Sequence, residues 1–184
     1  MSESFDFDHP QKLTVGTEGP PGQRMFFLQA RQGNVSATLK MEKIQVAALA
    51  AWIAKTLEDL PAPSHLPEDP ELEPDGFVDP AWAVGSLGGS YDIDTDRIVL
   101  VAAEQTGDED EDIDEEQEET DASLLGGRAA TARILATREQ MAALAIRATR
   151  LVESGRPPCP LCGYPLDPAG HQCPRTNGFR PPKL

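Results

Sequence analysis

Three cysteines near the C-terminal end are the residues best suited to chemistry. Cys159 and Cys162 form a Cys-x-x-Cys pair followed directly by glycine, and His171-x-Cys173 comes after eight intervening residues. Thiolates at that spacing converge on one ion, and three thiolates with one imidazole make a tetrahedral set that suits zinc. The pattern therefore predicts one structural Zn²⁺ bound by Cys159, Cys162, His171 and Cys173, because four protein ligands leave no open position for water.

Other uses of these cysteines fit the sequence less well. A thioredoxin-like dithiol needs its Cys-x-x-Cys at a helix N-terminus, which the surrounding prolines disfavour. A disulfide scaffold leaves one of the three cysteines over, and metal ligation consumes the thiolate and base that nucleophilic catalysis needs. If His171 is not a ligand, a neighbouring chain, a water or Asp167 has to supply the fourth position.

The formal charge of −15 comes mainly from one segment. The chain has 184 residues, with 31 acidic and 16 basic side chains, and residues 104–121 alone carry −12. A segment with one aliphatic residue cannot bury enough surface to offset its ordering entropy, so we predict a disordered acidic insertion at 104–121. Its alternative role is an acidic tether for a basic partner or for the basic C-terminal face, where residues 128–184 carry +6.

The length and the termini predict the class of protein. We expect one folded domain with an appendage, and a folded part large enough to bury a sizeable core. No apolar run is long enough for a membrane span, and the opening residues lack the features of a secretory signal, so we expect a cytoplasmic protein. The strongly negative total disfavours generic binding to a phosphate backbone.

An internal repeat organises the chain. Gln45 and Gln140 each begin a Gln-x-Ala-Ala-Leu-Ala motif, and two further echoes precede each motif in the same order. Each unit has the pattern of three strands and a helix. The strands are predicted near 4–17, 24–31, 34–41, 81–91, 97–104 and 128–136, and the helices near 42–60 and 137–154.

These elements predict an α+β fold with a mainly antiparallel six-stranded sheet and two helices on one face. The predicted boundaries are 1–60 for the first repeat, 61–80 for a proline-rich connector, 81–154 for the second repeat and 155–184 for a zinc-binding module. The connector is expected to lie extended along the folded body, with Phe77 and Val78 as anchors.

Two other motifs imitate known sites. The Asp92–Asp96 stretch resembles the start of a calcium loop but lacks the glycine and the glutamate that the EF-hand needs, so a polar turn is predicted. The glycine-rich stretch 85–89 lacks the lysine and the helix of a phosphate loop, so a twisted or bulged strand is predicted.

The chain as a whole resembles an actinobacterial family of conserved hypothetical "repeat proteins", a domain of unknown function that ends in a zinc-ribbon-like motif. The resemblance rests on the opening Phe5-Asp6-Phe7-Asp8, on the stretch 22–31 and on the cysteine-containing stretch from Gly155. It implies two companion proteins, one resembling a histidine-type phosphatase and one resembling a phosphoinositide kinase.

Three functions follow, in order of preference. The first is a non-enzymatic protein-binding scaffold, because the metal site is saturated and no nucleophile–base constellation is evident. The second is an enzyme or a binder of a small anionic ligand on the exposed sheet face, using Arg24 and Arg31, and a pocket that joins them to Asp6 or His9 would favour it. The third is nucleic-acid binding by the basic C-terminal region around Arg175.

Overall fold

The computed structural model of the chain describes residues 2–20, 22–63, 65, 72–106, 129–155, 159–162, 166, 173 and 175. Among these residues it contains seven strands and two helices. The strands are β1 (Phe5–Phe7), β2 (Lys12–Glu18), β3 (Met25–Gln32), β4 (Val35–Met41), β5 (Trp82–Asp92), β6 (Arg97–Glu104) and β7 (Thr131–Ala136). The helices are α1 (Lys43–Glu58), which follows β4, and α2 (Arg138–Glu153), which follows β7.

The prediction of six strands is wrong, because the opening segment forms two. The single strand predicted over 4–17 is interrupted by a bend that contains Pro10, and proline cannot donate to a strand ladder. After β1, the element order is strand, strand, strand, helix, and then the same four elements again. The fold is mixed α+β, as predicted.

One sheet contains all seven strands, in the order β1-β7-β6-β5-β4-β3-β2. Strands β2 to β4 form one antiparallel set, and β5 to β7 form a second. The two sets meet where β4 and β5 pair in parallel at only two residue pairs, Leu39 with Trp82 and Lys40 with Ala83. Strand β1 pairs in parallel with β7 at the far edge.

The sheet must curve strongly, because its two edge strands are consecutive in the chain. A flat sheet of seven strands would separate its edges by about 29 Å, at about 4.8 Å per strand. Residues 8–11, which join β1 to β2, can span at most about 18 Å. The hydrogen bond from Gln11 N–H to the Arg31 carbonyl, at 2.9 Å, shows that the chain has reached β3 by that point.

Both helices bury their apolar sides in a single core inside this curved sheet. Val46 and Ile53 of α1 and Met141 and Leu144 of α2 are buried in one cluster with the inward-facing residues of the strands. The Thr137 capping box with Gln140 opens α2 as the sequence predicts, with the Gln140 N–H 3.1 Å from the threonine oxygen.

The described end of the connector, residues 72–80, covers the outer face of β2 and β3. The buried Thr14 hydroxyl donates to the Leu72 carbonyl, and the Gln29 side-chain carbonyl accepts the Asp75 N–H at 2.8 Å. Both predicted anchors, Phe77 and Val78, are exposed, but Phe77 packs edge-on against Phe27 with ring centroids 5.9 Å apart. The connector therefore supplies hydrogen-bond partners to Thr14 and Gln29, two polar side chains that are buried on this face of the sheet.

Asp75 of the connector forms ion pairs with two basic side chains of the sheet, Lys12 and Arg31. Its carboxylate lies 2.8 Å from the Lys12 ammonium and 2.6 Å from the Arg31 guanidinium, and the hydrogen bonds from Lys12 and then Arg31 lower its pKa. Because the folded-state pKa is depressed, the stabilisation is present above the ordinary value of 3.8 and is lost as the pH falls through the folded-state pKa.

We therefore expect Asp75→Asn to lower the free energy of unfolding at pH 7 by up to about 1 kcal/mol, the upper end for an exposed ion pair. Urea denaturation of both proteins at pH 7 and at acidic pH measures the difference, which should shrink below the ordinary carboxyl pKa. Asp79→Asn, at an exposed aspartate of the same segment, is the matched control. A difference that stays constant with pH would contradict the ionic role.

Candidate metal centre

The end of α2 fixes where the chain leaves the folded body. Ser154 caps the helix, and its N–H donates to the Arg150 carbonyl at 2.9 Å. The Arg24 guanidinium donates to the Ser154 carbonyl at 3.2 Å and to its hydroxyl oxygen at 3.0 Å. An arginine at a helix C-terminus satisfies exposed carbonyl oxygens and complements the helix dipole.

A turn at residues 160–162 brings the first two cysteines together. The backbone N–H of Leu161 donates to the sulfur of Cys159 and lowers the pKa of that thiol, and the N–H of Cys162 acts in the same direction. Burial of Cys159 opposes this shift. Hydrogen bonds to a sulfur favour its thiolate form, which is the form that binds metal.

The third cysteine joins the same cluster. The Sγ atoms of Cys159, Cys162 and Cys173 all lie within 4.8 Å of one another. Zinc–sulfur bonds of about 2.3 Å in a tetrahedron place sulfurs about 3.8 Å apart, so a small adjustment would let all three bind one ion. The donor set and its spacing are thus compatible with a metal site.

His171, the predicted fourth ligand, lies outside the described residues, as do most of the residues between Cys162 and Cys173. The structure therefore brings together three of the four predicted ligands. Most of the acidic insertion also lies outside the described residues, but its first residue, Glu104, ends β6 and bonds the Ala130 backbone across the β6–β7 hairpin.

The two arginines predicted to bind an anion lie near opposite ends of β3 and bind different parts of the protein. Arg24 holds the end of α2, and Arg31 pairs with Asp75 in the connector. A cleft of about 360 Å³ is lined by Arg24 together with Lys40 and Lys43.

Asp6 and His9 are placed elsewhere. Asp6 and Asp8 both accept hydrogen bonds from Arg133 of the neighbouring strand, at 2.9 and 3.0 Å. The backbone N–H of His9 donates to the Gln32 side chain at 2.7 Å. Neither Asp6 nor His9 is among the described residues that line the Arg24 cleft.

A further cavity was not predicted. It has a volume of about 330 Å³ and lies between α1 and β5, where Trp52, Leu49 and the glycine-rich stretch 85–89 line it. The sequence signal was that stretch itself, which was interpreted as a bulged strand. The bulge is confirmed, since the register shifts between Val84 and Ser86, but the groove beside it depends on where α1 packs.

A comparison with protein-family models matches residues 5–173 to the family described as "Protein of unknown function (DUF3090)". The chain belongs to this family. The match begins in β1 of the DUF3090 domain and ends at Cys173, so the sheet and the three cysteines all fall within it. No curated protein and no solved structure matches the DUF3090 chain significantly. Neither helix in the described part of the chain is long and apolar enough to cross a membrane.

Proposed function

We propose that this DUF3090 protein is a non-enzymatic, protein-binding scaffold whose C-terminal module is organised by one structural Zn²⁺. The ligands are Cys159, Cys162, Cys173 and His171. The observation that carries the proposal is the convergence of the three cysteine sulfurs within 4.8 Å of one another. Thiolate donors in such a cluster suit zinc and exclude the oxygen-preferring cations Mg²⁺ and Ca²⁺.

The proposed zinc site is structural rather than catalytic, because four protein ligands complete its coordination. A catalytic zinc keeps one position for water, whereas three cysteines and one histidine fill the tetrahedron. The described cysteines are absent from the hydrophobic core cluster of the sheet and helices. A bound ion would cross-link this separate segment, and metal binding alone can supply folding free energy to such modules.

An exposed apolar side chain in the cysteine turn favours a protein as the partner. Leu161, next to Cys162 in the turn, is 57% exposed, so the module presents an apolar side chain to solvent. The family resemblance adds two candidate partners, the phosphatase-like and the kinase-like companions. The same resemblance, with the use of cysteine as a ligand, supports an actinobacterial protein that works in the cytoplasm.

A pull-down with each companion tests this role. Intact protein should retain at least one companion, and Cys159→Ser with Cys162→Ser should lose it, because the module is no longer cross-linked. Leu161→Ala changes the same turn without removing a ligand, so it should keep its zinc. It should weaken retention of the companion if the exposed Leu161 side chain makes the contact. Equal retention by the wild type and the double cysteine variant would exclude the zinc module as the binding element.

The two alternatives remain predictions. Binding of a small anion on the sheet face has less support than it had from the sequence, because Arg31 is engaged by Asp75 and the connector occupies that face. Nucleic-acid binding would use Arg175, which is exposed, together with Arg180 and Lys183, which lie outside the described residues.

A further inference from the structure

Strand β5 continues far beyond its partner β4. The two strands pair only at Leu39 with Trp82 and Lys40 with Ala83, while β5 runs on to Asp92. Over residues 86–92 its other side is paired with β6. One edge of β5 is therefore not covered by a strand of the described structure along most of its length.

The direction of the backbone groups follows from the hydrogen bonds of β6. Glu104 N–H donates to the Ala130 carbonyl, towards β7, and Gln105 N–H donates to the Ala83 carbonyl, towards β5. In a strand the N–H and C=O groups of successive residues alternate between the two sides. The odd-numbered residues of β6 therefore face β5, and the even-numbered ones face β7.

The register then identifies the groups at the open edge. Even-numbered residues of β5 from 86 to 92 pair with odd-numbered residues of β6 from 103 to 97, so they face β6. Leu87, Gly89 and Tyr91 face the opposite way. Among the described residues, no hydrogen bond reaches the N–H or C=O groups of these three. Three donors and three acceptors thus form a regular ladder along the edge.

Helix α1 forms the wall of a groove beside this ladder. The Gln45 side-chain amide donates to the Val84 carbonyl at 2.9 Å and closes the end of the groove nearest β4. At the other end, the Trp52 indole lies so close to the strand that a Cβ on Gly89 would collide with it. The cavity of about 330 Å³ between them is also lined by Ala48, so the groove floor is mainly apolar.

The carboxylates at the Tyr91 end of the groove favour peptides that carry a basic residue. The β5–β6 turn beyond Tyr91 carries Asp92, Asp94 and Asp96, and Asp96 is paired with Arg138 at 2.9 Å. Asp94 is exposed and forms no ion pair with another described residue. The exposed carboxylate of Asp94 therefore makes this end of the groove complementary to a basic side chain.

We propose that the groove between β5 and α1 binds an extended peptide segment of a partner protein, which adds to the sheet as a strand beside Leu87, Gly89 and Tyr91. An apolar side chain of the peptide enters the cavity beside Ala48 and Trp52, and a lysine or arginine lies next to Asp94. Backbone hydrogen bonds give such a complex its affinity, and the cavity and the carboxylate give its sequence preference. The inference deepens the protein-binding role and rests on it, but it uses a surface without any of the cysteines.

A displayed library of random peptides of about ten residues is the probe, selected on the full-length protein. Selected peptides should carry a large apolar residue and a basic residue, without proline at the positions that pair with β5. Ala48→Arg should weaken binding of the tightest peptide by at least about tenfold, because the new side chain fills the cavity. Ala51→Arg makes the same change at another exposed position of α1 and should leave binding within about twofold. Equal affinities for these two variants, or no enriched peptide, would overturn the proposal.

Amide hydrogen exchange supplies a readout specific to strand addition. The peptide should slow exchange at Leu87, Gly89 and Tyr91 and leave Gly88 and Ser90, which already bond to β6, unchanged. Protection that does not alternate along β5 would exclude an added strand. The Cys159→Ser/Cys162→Ser variant should bind the selected peptide as the wild type does, so failure of the zinc module and failure of the groove are distinguishable.

Discussion

Removing zinc with a chelator will unfold the chain beyond Gly155 and leave the sheet and its two helices folded. The purified protein should contain one zinc ion per chain, and the chelator should release it. The expected effect is large because metal sites in small modules contribute about 10–16 kcal/mol of apparent binding free energy. None of the three cysteines belongs to the hydrophobic core cluster of the sheet and helices, although Cys159 is buried. In the proposed module, the metal would take the place of a hydrophobic core.

Limited proteolysis measures the change. Trypsin should cleave after Arg175, which is followed by threonine, much faster once the metal is removed, and added zinc should restore resistance. The thermal transition of the sheet and helices, followed by circular dichroism, should move by no more than a few degrees. Metal-free protein with an unchanged C-terminal cleavage pattern would contradict a structural site.

The substitution His171→Ala tests the predicted fourth ligand, which lies outside the described residues. Loss of one of four ligands should weaken zinc binding by at least about tenfold, while His65→Ala, outside the module, should have no effect. Cobalt substitution gives an independent measurement, because the absorption of the tetrahedral cobalt complex reports how many thiolates and imidazoles bind. A wild-type spectrum retained by His171→Ala would assign the fourth position to another donor.

The substitution Phe7→Ala will lower the free energy of unfolding by about 3–5 kcal/mol, the usual cost of removing a buried phenyl ring. Phe7 is fully buried in the core cluster although β1 has only three residues. The ring therefore attaches the edge strand to the rest of the molecule, and its loss leaves both a cavity and a weakly held strand.

Phe5→Ala is the matched control on the same strand. Its ring stacks on that of Phe7 at 6.1 Å but is only partly buried, so we expect a loss of about 1 kcal/mol. Urea denaturation followed by fluorescence and circular dichroism gives both values. Equal losses for the two variants would show that Phe7 does not anchor β1.

Local patterns predicted the elements that have local causes. The apolar spacing of α1 and α2 and the capping box of Thr137 placed both helices to within a few residues, because helix signals lie within the helix itself. The separation of β1 from β2 had a local signal in Pro10 that the prediction did not use, whereas the edge position of β1 depends on the pairing of Phe5 with Ala132 far along the chain.

The same distinction applies to the candidate sites. Cysteine spacing within a short segment predicts the metal cluster, and the sulfurs of Cys159, Cys162 and Cys173 do converge. The roles of Arg24 and Arg31 could not be foreseen, because their partners Ser154 and Asp75 come from distant segments. A hydrophobic pattern indicates which face of a strand is buried, but not which later segment covers the other face.

Because β1 pairs with β7, the first strand has no partner until most of the chain has been synthesised. Asp6 and its partner Arg133 are 127 residues apart, so the first strand leaves the ribosome long before its neighbour exists. At about 5–20 residues per second, the nascent chain exposes that strand for roughly 6–25 s. Its two aromatic rings are available for incorrect contacts throughout that time, so the first seven residues are where a holding chaperone would protect the nascent chain. The sheet can be completed only after β7 has been made, when the N-terminal strand returns to pair with it.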